Sequence, residues 1–120
     1  MRCLARLVSE ERPETALELR ALCTWAERLR GLLGTEADAE GVLLSRCGSI
    51  HTFGMRYDLD VAFLGERGEV LKVCRGLGPR CAASCRGARC VIERPAREGP
   101  WVEEGEHLWV AAVTAEALGA

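Results

Sequence analysis

Leu59-Asp60-Val61-Ala62-Phe63-Leu64-Gly65-Glu66-Arg67-Gly68-Glu69-Val70-Leu71-Lys72-Val73-Cys74 decides the fold class. Leu59, Val61 and Phe63 alternate with Asp60, Ala62 and Leu64, so a strand here has both faces largely buried. Gly65 to Gly68 supplies turn chemistry, and Glu69 to Cys74 returns as a second strand, which makes a β-hairpin.

Working outward, Cys90-Val91-Ile92-Glu93 and His107 to Val113 read as further strands. The loop from Pro95 to Gly105, with Pro100 inside it, separates them. Upstream, Cys3 to Val8, Leu17 to Leu22 and Val42-Leu43-Leu44 are short apolar strands. One helix is predicted, from about Trp25 to Leu33: Leu22, Trp25, Ala26, Leu29, Leu32 and Leu33 share one face at helical spacing. Thr24 with Glu27 forms a capping box and Gly34 a stop. That face is expected to pack in the core, and Trp101 and Trp109 to cover the edge of the sheets. Strands do not alternate regularly with helices, which disfavours a parallel sheet. The expected fold is mainly β, a small antiparallel β-sandwich or barrel with one short helix near residues 25–33.

The totals exclude several function classes. A chain of 120 residues fits a single domain over residues 1–120. A formal charge of −2 offers no strong field for nucleic acid or an anionic membrane. Arginines 75, 80, 86, 89, 94 and 97 make a basic stretch, but it holds no aromatic residue on which bases could stack. No apolar run reaches the ~20 residues a membrane span needs. The start, Met1 to Val8, is too short and too broken by Arg6 for a signal peptide. A cytoplasmic monomer is expected, and the odd count of seven cysteines fits free thiols in a reducing compartment.

Specific chemistry concentrates in Cys47-Gly48-Ser49-Ile50-His51-Thr52-Phe53-Gly54-Met55-Arg56-Tyr57-Asp58-Leu59-Asp60. A thiol, two hydroxyls, an imidazole, a guanidinium, a phenol and two carboxylates run straight into the buried strand. Polar groups beside a core must be hydrogen-bonded or cost about 1–3 kcal/mol each. The segment therefore either lines a site or forms an internal network.

Several separated motifs resemble one family. They are Arg28-Leu29-Arg30-Gly31-Leu32-Leu33-Gly34, Cys47-x-Ser49-Ile50-His51-Thr52-x-x-Met55-Arg56, and Leu59-Asp60-Val61-x-Phe63-Leu64 with Gly68 and Val70. Leu77-x-Pro79, Gly87-Ala88 and Glu93-x-Pro95-Ala96 continue the pattern, over about residues 16–110. In order and spacing this is similar to the domain-of-unknown-function 192 family. The resemblance implies a compact β-sandwich-like domain of unassigned activity. The chain departs from the family's pattern in having Arg46 where proline is usual, Arg80 in place of an aromatic, Arg97 in place of glycine and Glu106 in place of aspartate.

The leading functional expectation is a small binding or accessory module for an unknown small molecule or protein, with Ser49, His51, Thr52, Met55 and Arg56 lining a polar site. Arg56 offers a fork suited to a carboxylate or phosphate. Asp58 and Asp60 are read as structural, either one pairing with Arg56, because Asp60 sits in an apolar run where a carboxylate needs a partner. An enzyme using Cys47 as nucleophile and His51 as base is the alternative. A purely structural network without a ligand is the third reading. No cofactor is expected. No metal is expected either, since Cys81, Cys85 and Cys90 supply only one closely spaced pair.

Overall fold

The computed structural model describes residues 2–116; residues 1 and 117–120 lie outside the described residues. In chain order the elements are β1 (Arg2–Ser9), β2 (Ala16–Leu22), α1 (Trp25–Arg30), β3 (Gly41–Ser45), β4 (Ser49–His51), β5 (Leu59–Leu64), β6 (Val70–Leu77), β7 (Ala82–Ser84), β8 (Cys90–Pro95) and β9 (Leu108–Glu116). The chain is mainly β with one short helix. Seven strands form one sheet in the order β6-β5-β8-β3-β2-β1-β9, and β4 with β7 forms a separate two-stranded ribbon.

Every pairing is antiparallel except β2 with β3, which run parallel from Leu19↔Gly41 to Leu22↔Leu44. A parallel neighbour needs a long crossover, and the segment between these two strands carries α1. The purely antiparallel expectation is corrected at this one pairing: a single strand–helix–strand unit sits inside an otherwise antiparallel sheet. The sheet does not close into a barrel. Its ends do meet at one corner, where Val70 N–H donates to Glu106 O (2.8 Å) and Leu108 N–H to Gly68 O (2.9 Å). The result is a sandwich-like fold.

Both faces of the central strands are covered. On one, Ala62, Leu64 and Ile92 pack with Ala5, Leu7, Leu19, Val70, Trp101, Val102 and Leu108. On the other, Leu59, Val61, Phe63 and Val91 pack with Leu22, Leu32, Val42 and Leu44. All six residues of β5 are buried, each large apolar side chain contributing about 1.5–3 kcal/mol. The second core is roofed by the β4–β7 ribbon, through Ile50 and Ala83, and by Met55 and Tyr57 from the following loop.

Two apolar expectations are corrected. The stripe of α1 is not core: no residue within the helix is buried, with Trp25 72% and Leu29 63% exposed. Only Leu22 and Leu32, on either side of the helix, reach the core. Six helical residues make fewer than two turns. The segment is pinned to the sheet at its two ends and stands off between them. The tryptophans also separate. Trp101 is buried, its ring 4.4 Å from the Arg94 guanidinium, whereas Trp109 is half exposed on β9. From Trp109 to Glu116 every residue of β9 is exposed, and among the described residues its one sheet neighbour is β1.

Candidate functional site

Where α1 stands off, a recess opens between the helix and β4, with a cavity volume of about 250 Å³. Trp25 and Leu29 form one wall, and Ile50, Phe53 and Met55 face them. Cys47, Ser49 and His51 lie along the same recess, and Glu93 reaches it from β8. Arg28, Arg30 and Arg46 complete its border.

Local backbone shapes this opening at two glycines. Gly54 has φ +87°, and a Cβ there would come 2.8 Å from Leu33 Cδ1, so glycine lets the 52–55 loop close against the end of the helical segment. Gly31 ends α1 at φ +53°, its N–H donating to Glu27 O (2.9 Å). A Cβ on Gly31 would lie in ordinary contact, 3.4 Å from Glu93 Oε1, so the positive φ and not lack of room is what favours glycine here.

Glu93 is the least ordinary group in the recess. It lies on a central strand, paired with Val42 on β3 and Val61 on β5, and is 4% exposed. Alternation along β8 puts it on the face of Val91, within the second core. Among the described residues no hydrogen bond reaches its carboxylate, and Arg28, which also lines the recess, donates to the carbonyls of Ser45 (3.1 Å) and Arg46 (3.2 Å). Burial pushes the Glu93 carboxyl up to about 7.

The residues singled out from sequence are dispersed. Ser49, His51 and Met55 line the recess together with Cys47. The His51 ring lies 5.7 Å from that of Phe53. Thr52 does not line it. It is wholly buried, its hydroxyl donating to Gly78 O (2.6 Å) and accepting from Cys81 N–H (2.8 Å), which ties the 52–57 loop to the 78–81 loop. Thr52→Val, nearly isosteric, leaves that N–H and carbonyl unpaired and is expected to cost about 1–3 kcal/mol in urea unfolding. A loss below about 0.5 kcal/mol would show that water replaces the hydroxyl. Arg56 is exposed and outside the recess.

Asp58 is exposed and Asp60 buried. Asp60 is not paired with Arg56: it accepts from Arg94 Nε (2.9 Å), Arg75 Nε (3.1 Å) and Gly76 N–H (3.1 Å). Two arginines of the basic stretch are thus engaged internally. Cys47 and His51 share the recess without a hydrogen bond between them, the Cys47 thiol donating to Ser49 O (3.1 Å). Cys81, Cys85 and Cys90 do not converge as a metal-ligating set; among the described residues the one such convergence is Glu10, Glu11 and His107, on the surface. Burial, and secondarily the nearby Cys47, pushes the Cys90 thiol up to about 11, which keeps it protonated and unreactive at neutral pH.

Sequence reasoning missed Glu93, Phe53 and the open face of α1 as parts of one place. The available signal was the alternation of Val91 with Glu93, which sets an acid on a core-facing position.

Fold and recess together define a mainly β, sandwich-like domain with a small, largely apolar pocket beside a stand-off helix. The chain belongs to the DUF192 family, described as uncharacterized ACR, which matches residues 7–103. No curated protein matches the chain. Its fold is similar to that of a Sinorhizobium meliloti 1021 protein described as a "putative transcription regulator", with a TM-score of 0.75 at 20% identity over 92% of this chain and 95% of that one. A protein of unknown function from Novosphingobium aromaticivorans DSM 12444 is also similar, with a TM-score of 0.67 at 16% identity over 88% and 83% of the two chains. Likeness at such identities carries the fold alone.

Proposed function

We propose that this chain is a binding module whose site is the recess between α1 and β4, taking the apolar part of a small molecule or of a protein partner. The observation that carries the reading is the open apolar wall. Trp25, Leu29 and Phe53 stay more than half exposed around one cavity instead of joining either core. Contiguous apolar surface rimmed by polar groups marks binding sites more often than it marks packing. Of the residues expected to line a site, the polar Ser49 and His51 and the apolar Met55 belong to this proposal, with Cys47 as a neighbour and not a nucleophile. Thr52 supports the loop from beneath, and Arg56 has no part in it. The cytoplasmic, monomeric state belongs to the same reading and rests on the sequence.

Amide chemical-shift mapping with small apolar probes tests it. Perturbations are expected to cluster at residues 25–33 and 47–55, and Leu29→Ser to weaken binding at least about fivefold with little change in stability, because an exposed side chain contributes within about 0.5 kcal/mol. Perturbations confined to other surfaces, unchanged by Leu29→Ser, would dispose of the reading.

A further inference from the structure

Of the charged residues lining the pocket only Glu93 is buried, and its chemistry selects among ligands. Glu93 is set in a central strand, almost wholly buried, faces the cavity and has no hydrogen-bond partner among the described residues. Above it the walls are hydrocarbon and aromatic: Trp25, Leu29, Ile50, Phe53 and Met55. A slender apolar stem ending in a cationic donor matches both parts at once. At about 250 Å³ the cavity is near the small end for ligand sites, which run from about 300 Å³.

We propose that this recess binds an alkylammonium group, its stem lying along Trp25, Leu29 and Phe53 and its nitrogen donating to the Glu93 carboxylate. The inference rests on the pocket reading above and names the ligand class for that site.

The charged and titratable groups sharing the recess with Glu93 are Arg28 and Arg30 from α1, Arg46 and Cys47 from the β3–β4 connection, and His51 from β4. The arginines do not reverse the choice. Arg28 is held by two backbone carbonyls, and Arg30 and Arg46 are exposed. Exposed charges act through water, at about 1 kcal/mol or less beyond 4 Å, and are screened further by salt. A carboxylate in the low-dielectric floor couples far more strongly to a cation placed against it. Binding favours the ionised carboxylate, so an alkylammonium ligand binds better as pH rises through about 7, whereas a ligand that accepts a proton from Glu93 binds better as pH falls.

Hexylammonium, hexanol and hexanoate are titrated into the labelled chain and its Glu93→Gln variant, with amide shifts of residues 25–33 and 47–55 as the readout. Hexylammonium is expected to bind more tightly than the other two, with an affinity rising several-fold, up to about tenfold, between about pH 6 and pH 8. Both preferences are expected to vanish in Glu93→Gln. N-acetyl-lysine methylamide, run alongside, distinguishes the source: binding by both amines assigns an accessible lysine side chain, and binding by hexylammonium alone a free amine. Hexanoate binding at least as tightly as hexylammonium, or hexylammonium binding equally to Glu93→Gln, would overturn the proposal while leaving the pocket reading intact. Three probes that leave the pocket amides unmoved would overturn both.

Discussion

Asp60→Ala is expected to lower stability by about 3–5 kcal/mol, as much as truncating a large core side chain. The carboxylate is buried and accepts from Arg94, Arg75 and the Gly76 N–H, and Arg94 is itself buried beneath Trp101. Removing the acid strands the Arg94 guanidinium, and an unpaired buried charge costs more than the pair contributed. Adding Arg94→Leu to Asp60→Ala should therefore recover part of the loss. Urea unfolding followed by tryptophan emission measures both variants, because Trp101 lies against this pair. A loss under about 1 kcal/mol, or a double variant weaker than the single, would show that water reaches the guanidinium. The pH dependence has a definite sign. Burial alone would raise the Asp60 carboxyl, but the hydrogen bonds from Arg94, Gly76 and Arg75 outweigh it and hold the group below its ordinary value. The stabilisation is present above the ordinary carboxylate range, near pH 3.9, and is lost as pH falls through the depressed value.

Glu93→Gln should act in the opposite direction. Between about pH 4.5 and 7 the folded chain holds a proton on Glu93 that the unfolded chain has released. Wild-type stability therefore falls across that window, by on the order of 3 kcal/mol, and stays lower above it. An amide cannot ionise, so the variant is expected to gain up to about that amount over wild type at pH 8 and little at pH 4.5. The difference between the two unfolding profiles isolates this group from every other titration. Parallel profiles from pH 4.5 to 8 would mean that Glu93 is already compensated in the fold. A charge that costs stability at this position fits the binding role proposed for Glu93, since sites commonly trade stability for function.

Much of the frame was legible because β5 and β6 carry strong local signals. Alternating Leu59 to Leu64, a glycine-bounded turn and a returning apolar run define a hairpin whatever surrounds them. The helix was legible for the same reason, through Thr24, Glu27 and the apolar spacing. What covers that spacing was not. Periodicity shows that Trp25 and Leu29 share a face with Leu22 and Leu32, but whether a sheet lies against them depends on where the two ends of a short helix are tethered. β4 and β7 escaped because three residues are too few to show a period. The parallel β2–β3 pair escaped because a single helix between two strands does not look like a repeating pattern. Within the site, Ser49 and His51 were found as polar outliers, whereas Glu93 was hidden as the last residue of an ordinary strand. Only the order β5-β8-β3 reveals that it stands at the middle of the sheet.

The corner where Gly68 and Val70 meet Glu106 and Leu108 leaves the two margins of the sheet unequal. Hydrogen bonds occupy the start of β6, so that margin is partly sealed. Among the described residues nothing comparable covers the far half of β9, and from Leu108 to Ala115 it contains no charge and no proline, the residues with which sheet margins commonly repel one another. If the chain is driven to associate at high concentration, the expected starting point is this strand, about Val110 to Val113, away from the recess. A lysine placed there offers a way to raise solubility without touching either core or the pocket.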